Sequence, residues 1–191
     1  CARGWPMGLD ADDRATLMRL ARTSVYEGLK TGRPFEPELA ACSPALRADG
    51  ASFVTLEIDD RLRGCIGRLE ASRPLAIDVA HNAFSAAFED PRFPALTAAE
   101  WPGLHFHVSV LGKPVPFPVA DEADLIARLR PGVDGLVLRE GHRRATFLPS
   151  VWQSLPDPAE FVAHLKHKAG WSTRYWSPHI EVQRYEVEAF E

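Results

Sequence analysis

The residues best placed to do chemistry lie in Arg61-Leu62-Arg63-Gly64-Cys65-Ile66-Gly67, where a strand runs into a glycine-flanked cysteine. Gly64 and Gly67 let the backbone bend there or let another group approach closely. Arg63 precedes Cys65 by two residues, on the same face if the strand persists, and Arg68 follows the turn. Two guanidinium groups near a thiol favour the thiolate, which is the nucleophilic form. Against this stands a plainer reading, in which Cys65 is a small buried hydrophobe of a core strand. Residue chemistry alone favours the plainer reading, because buried cysteines far outnumber reactive ones.

The histidines offer less. His105 and His107 form an HxH pair with both rings on one strand face, but two ligands do not make a metal site, and no third is fixed by the sequence. His81 falls between Ile77 and Phe84 on a packed helix face. It is a candidate catalytic base, although a hydrogen-bonded structural histidine is the commoner outcome at such a position. His164 and His167, at i and i+3 on a helix, sit beside Lys166 and Lys168 and read as an exposed basic edge. Walker loops, dinucleotide fingerprints, GxSxG and HExxH are absent, which removes the best-known nucleotide, hydrolase and metalloprotease classes.

The elements that would position these groups follow from periodicity. Asp10 to Thr31 carries one apolar helical stripe through Leu17, Leu20, Ala21, Val25 and Leu29, with Asp10 as N-cap and Gly32 as terminator. Arg33 to Pro44 is a proline-rich excursion. Ser52 to Ile58 and Leu62 to Ile66 form a hairpin about Asp59-Asp60. Ser72 to Glu89 is a helix apolar on most of its circumference, and hence packed on several sides, with Ser72 at the cap position. Asp90-Pro91-Arg92-Phe93-Pro94 stops it. Leu104 to Leu111 alternates as a strand, Lys113 to Pro118 suits a sheet edge, and Asp121 to Arg130 is a short helix. Strands at Gly135–Arg139 and Arg144–Leu148, a helix over Ala159–Ala169 and one closing strand over Ile180–Phe190 complete the chain. Hairpin pairing without βαβ regularity predicts an α+β fold with an antiparallel sheet packed against helices.

The 191 residues suit a single domain or two small lobes sharing a core, and 46% hydrophobic content suffices to bury one. A net charge of −4 argues against a nucleic-acid footprint, which would rest only on Arg143, Arg144, Lys166, Lys168 and Arg174. No apolar run has the length of a membrane span, and no signal segment opens the sequence. Three cysteines, Cys1, Cys42 and Cys65, without CxxC spacing predict neither a disulfide scaffold nor structural zinc, and point to a reducing cytoplasm. Cys1 as an N-terminal nucleophile is disfavoured by the irregular stretch from Ala2 to Gly8.

In order along the chain, Phe53-Val54-Thr55-Leu56, Leu62-Arg63-Gly64-Cys65-Ile66-Gly67, Ala86-Ala87, Asp90-Pro91-Arg92-Phe93, Val108-Ser109-Val110-Leu111, Gly135-Leu136, Phe147-Leu148-Pro149 and Lys168-Ala169-Gly170 resemble the AMMECR domain family, protein A of the AmmeMemoRadiSam system. The LRGCIG hexapeptide carries most of the specificity, and the likeness runs from Leu17 to the final strand. Ser150 and Trp171 depart from the usual glutamine and leucine. The resemblance implies one AMMECR-type domain over residues 1–191, built of two lobes with a cleft between them near LRGCIG. It implies neighbours of the Memo and radical SAM types as partners, and no established reaction, cofactor or metal. On it, Cys65 is the candidate catalytic residue, with His81 a weaker second, and Arg63, Gly64, Ile66, Gly67 and Arg92 are the candidate substrate-binding residues. Two functions stay open: a component of an intracellular modification system with thiol chemistry at Cys65, and a non-catalytic adaptor that uses the same cleft for a partner protein or small ligand.

Overall fold

A computed structural model describes residues 8–191. Cys1, and with it the N-terminal nucleophile, lies outside the described residues. In chain order the elements are α1 (Ala11–Thr31), α2 (Pro44–Arg47), β1 (Asp49–Ile58), β2 (Arg61–Gly67), β3 (Arg73–Pro74), α3 (Leu75–Phe88), β4 (His105–Leu111), β5 (Val115–Pro116), α4 (Glu122–Arg128), β6 (Gly135–Glu140), β7 (Arg143–Phe147), α5 (Pro158–Lys168), β8 (Glu181–Tyr185) and β9 (Val187–Phe190). The fold is α+β with antiparallel pairing, as the sequence predicts. The strands make two sheets. One has the order β2-β1-β4-β9, with β3 paired to the start of β1; the other runs β5-β8-β6-β7.

The chain divides into two compact units. The first holds the chain through Leu111 together with Glu188–Glu191, and the second runs from Gly112 to Val187. Each has its own apolar core. In the first unit, Leu17, Ala21 and Val25 of α1 and Val79, Ala83 and Ala86 of α3 meet Val54, Leu56, Phe106 and Val108 of the sheet. In the second, Leu125, Leu136, Leu138, Phe161, Val162 and Leu165 form the centre, with the Trp152 ring stacked on Phe161 at 3.8 Å.

Asp10 caps α1 in a reciprocal box with Asp13, and Gly32 closes the helix in the left-handed region, as the sequence predicts. The β1–β2 hairpin turns on Asp59 and Asp60, both with positive φ, a conformation that aspartate tolerates and that matches the strand twist. Two expectations change. Ser72 is not the cap of α3; its Oγ accepts from Arg68, and Arg73–Pro74 pair as β3 with Asp49 and Gly50. The helix starts at Leu75, whose N–H donates to Ala48 O instead of to a side-chain cap. The closing strand is two strands, because the backbone leaves one sheet for the other at Glu186. There Glu186 O accepts from Gly112 N–H and its carboxylate takes Arg130, which ends the ladder without interrupting the apolar alternation.

Candidate functional site

β2 is an edge strand, so one side of its backbone has no neighbouring strand. Asp90 and Arg92, just past the end of α3, supply what is missing. Asp90 Oδ2 accepts from the N–H of Cys65 at 2.9 Å, and Arg92 Nη2 donates to the carbonyl of Cys65 at 3.3 Å. The two side chains are themselves a fork, with Arg92 Nε on Oδ1 at 3.0 Å and Nη2 on Oδ2 at 2.7 Å. The Arg92 N–H also donates to Asp90 Oδ1, an aspartate turn that fixes the carboxylate. The pair thus stands in for a residue of an adjacent strand.

Because the main-chain groups of Cys65 point outward to this pair, Cys65 and Thr55 face each other as a non-hydrogen-bonded pair, the closer of the two antiparallel kinds. Their side chains meet: Thr55 Oγ1 donates to Cys65 Sγ at 3.2 Å. Cys65 is half-buried and free. His107 lies opposite Thr55 on the far side, so Cys65, Thr55 and His107 form one cross-strand row on the sheet face away from α1 and α3. His107 itself is held between Glu57 at 3.3 Å and Glu191 at 3.4 Å. Among the described residues the Thr55 hydroxyl is the one hydrogen-bond partner of the sulfur; no histidine or carboxylate reaches it.

The glycines around Cys65 serve close approach. Neither has a positive φ. A methyl on Gly64 would lie 2.0 Å from the carbonyl oxygen of Ala86 in α3, and one on Gly67 would lie 2.3 Å from the Phe53 ring and 2.4 Å from Ser52 O. Gly64 therefore lets the central helix touch β2, and the Phe53 ring covers Gly67. Ile66, between them, packs against the first core.

Arg63 does not share the alternation of Cys65. Gly64 pairs with Leu56 and Leu62 with Glu57, so Arg63 is the extra residue of a β-bulge. Its side chain is buried against Glu100, with Nε on Oε1 at 2.7 Å and Nη2 on Oε2 at 3.3 Å, and Nη2 also reaches Pro94 O at 2.9 Å. Arg63 and Arg92 both lie near the Phe93 ring, their guanidinium carbons 5.8 and 5.5 Å from its centroid.

The electrostatics follow these contacts. The Arg92 guanidinium, with smaller help from the Cys65 and Arg92 N–H groups, holds the Asp90 carboxyl far below the usual carboxylate range despite its burial. Arg63 first, then the Thr97 N–H, bring Glu100 down to about 2. Arg92 is raised, chiefly by its hydrogen bond to the Asp90 carboxylate.

The other candidates lie elsewhere. His81 Nδ1 sits 3.2 Å from Arg73 Nη1, which can only donate, so the proton is on Nε2, which donates to Glu36 at 2.6 Å. His81 is hydrogen-bonded on both nitrogens and heads a network that runs through Arg73 to the buried Asp78, Asn82 and Ser52. His164 and His167 are exposed, whereas Lys166 between them is fully buried, bonded to Glu122 at 2.6 Å and Tyr175 O at 3.1 Å. The basic edge expected there thus loses one of its two lysines to the interior. Lys168 and Arg143 reach the main-chain carbonyls of Thr146 and Gly170. No group of three metal-ligating side chains converges among the described residues, and no helix among them is long and apolar enough to cross a membrane.

Sequence reading found Arg63, Cys65 and Arg92 but not Asp90 and Glu100, the acids that hold them. Asp90 does stand in the Asp90-Pro91-Arg92-Phe93 piece of the family resemblance, but by residue chemistry Asp-Pro at a helix end reads equally well as a stop.

The sequence model of the AMMECR1 family matches residues 18–190. A protein of Thermofilum pendens is 37% identical over 95% of this chain and 91% of its own length. One of Methanothermobacter thermautotrophicus is 34% identical over 95% of both chains. The crystal structure of an uncharacterized protein from Pyrococcus horikoshii superposes with a TM-score of 0.73 at 32% identity, over 91% of this chain and 88% of that one.

Proposed function

The chain belongs to the AMMECR1 family, and on that premise we propose that it is the recognition component of a cytoplasmic modification system. In this reading it acts with a Memo-like protein and a radical SAM protein. The surface it offers them, or their shared substrate, is the outer side of β2: Cys65 and Gly67 with the Asp90–Arg92 pair, backed by Gly64 and Ile66, which seat the strand on α3 and the first core. One observation supports recognition over conversion. The N–H, the carbonyl and the sulfur of Cys65 all have partners, and none of those partners is a base that could take the thiol proton. A segment held so firmly presents a fixed shape, with the half-exposed Arg92 as its charged feature.

The test is co-purification with the Memo-like and radical SAM proteins. Cys65→Ser is expected to keep both partners, because serine preserves the backbone contacts. Arg92→Glu is expected to lose them, because it sets two carboxylates side by side. Retention of partners by Arg92→Glu would remove this face from the interaction.

A second reading has its own support. The Thr55 hydroxyl donates to the sulfur and the Arg92 guanidinium donates to the Cys65 carbonyl, so a hydroxyl and a cation both stand beside this residue. In that reading Cys65 is a nucleophile or redox thiol, and Arg92 steadies an anionic substrate. Alkylation of the native protein across pH separates the two. A Cys65 as inert as a buried thiol supports recognition. A Cys65→Ser variant that is folded, keeps its partners and yet loses all cellular function establishes the thiol.

A further inference from the structure

We propose that the loop Asp90–Pro94 closes over a site for a small oxyanion, a carboxylate or phosphate group, whose anchoring donor is Nη1 of Arg63. The proposal rests on reading this face as a recognition surface and names the chemistry it recognises.

Buried polar groups in folded proteins find partners almost without exception. Asp78, Asn82, Asp134 and Lys166 are all buried here, and all are paired. Among the described residues one buried side-chain nitrogen has no partner, and it is Arg63 Nη1. Arg63 is 9% exposed, so this donor cannot turn to bulk water. Its other nitrogens are fixed by Glu100 and Pro94 O, and the planar guanidinium therefore holds Nη1 in one direction.

The second observation is Arg92. Its Nε and Nη2 edge faces Asp90, and its own Nη1 has no partner among the described residues. Both guanidinium carbons lie within 6 Å of one ring, that of Phe93. Two guanidiniums thus lie near one aromatic side chain, Arg63 with its buried, unpartnered nitrogen and Arg92 largely open to water. A guanidinium nitrogen of this kind can be satisfied only by an acceptor, and a forked oxyanion is the acceptor that suits it. Each arginine is already neutralised, by Glu100 and by Asp90. Binding would therefore come from directed hydrogen bonds, not from net charge, and would resist salt better than binding by exposed lysines.

Phe93 is the gate. It is half-buried, belongs to no helix or strand, and hangs from the turn by its N–H on Asp90 O. Arg63 Nη1 is closed to solvent, so an anion reaches it only if a neighbour moves, and in this proposal that neighbour is the Phe93 ring, 5.8 Å from the guanidinium carbon.

The test is a titration of the full chain with inorganic phosphate, and separately with acetate, against chloride at equal ionic strength, following the arginine side-chain NMR signals. Phosphate or acetate, but not chloride, is expected to shift Arg63. Phe93→Ala should bind several-fold more tightly or faster, and Arg63→Lys about tenfold more weakly, as one directed charge-assisted bond is lost. Arg63 signals that stay in place for both anions in the wild type and in Phe93→Ala overturn the inference; Nη1 would then face no more than a resident water. That decision does not depend on Arg63→Lys folding. An anion that shifts Arg63 yet leaves partner capture untouched supports the oxyanion site and counts against the wider recognition reading, so the two fail separately.

Discussion

A methyl group added to Gly64 would meet the Ala86 carbonyl at 2.0 Å, and that oxygen belongs to the backbone of α3, which cannot swing away. Gly64→Ala should therefore cost about 3 kcal/mol or more, as overpacking against main chain does, measured by urea unfolding. Asp90→Asn tests the neighbouring contact. It keeps the shape but loses the charge that holds Arg92 and the Cys65 N–H, and about 2–4 kcal/mol is expected to go with it. Glu100 sets a pH dependence with a definite sign. Its carboxyl is near 2 in the folded protein against an ordinary 4.5, so its contribution is complete above pH 4.5 and is lost as pH falls from there toward 2. The unfolding midpoint should drop over that interval, and Glu100→Gln should flatten the drop while lowering stability at neutral pH. Most of the site was readable at this scale as residue types, but not as contacts. LRGCIG marks itself by composition. Nothing in a single sequence aims Asp90 at a residue 25 positions earlier, or tells a glycine that bends from one that admits a helix.

Elements show the same division. The helices and hairpins announce themselves through period, and α1 also through its cap Asp10; Asp121 before α4 and Asp157 before α5 likewise accept from the first turn, but only the structure shows it. What periodicity cannot reveal is allegiance. β8 and β9 read as one strand because alternation continues through Glu186, and only the partners differ. Solvent exposure inside a helix is equally hidden when a long side chain can fold inward. Lys166 sits among polar neighbours in sequence, yet it is wholly buried and ties α5 to Glu122 of α4 and to the Tyr175 carbonyl. Lys166→Ala should destabilise the second unit by about 3 kcal/mol, since it leaves Glu122 without its cation and opens a gap where the stem packed. Lys166→Met should recover part of that loss by filling the gap, and thermal unfolding of the two variants side by side checks the order. Both sheets also protect an edge with side chains that reach main chain, Asp90 and Arg92 on β2 and Lys168 on β7.

At the scale of the molecule, the second unit is one continuous stretch, residues 112–187, with its own sheet, two helices and a closed apolar cluster. A segment of that kind should fold when expressed alone. Cooperative unfolding and slow amide exchange at Leu136, Leu138 and Phe161 in the isolated segment would bear this out, and a non-cooperative, exchanging chain would refute it. The family match spans both units, so membership describes the pair and not one of them. The boundary at Leu111 was not legible in the sequence, because the strand β4 and the proline-rich segment after it carry no break in composition.

The first unit is interrupted. Its sheet takes β4 just before the second unit begins and β9 just after it ends. On the ribosome, β4 must therefore wait with one edge bare until the whole intervening stretch has been made, roughly 4–15 s at ordinary elongation rates. For that time the nascent chain carries an open strand template, and crowded polysomes would place identical templates side by side. The return of four residues at the chain's end is what finally withdraws it. Synthesis order thus makes aggregation during translation, more than instability of the finished protein, the hazard that this topology has to survive.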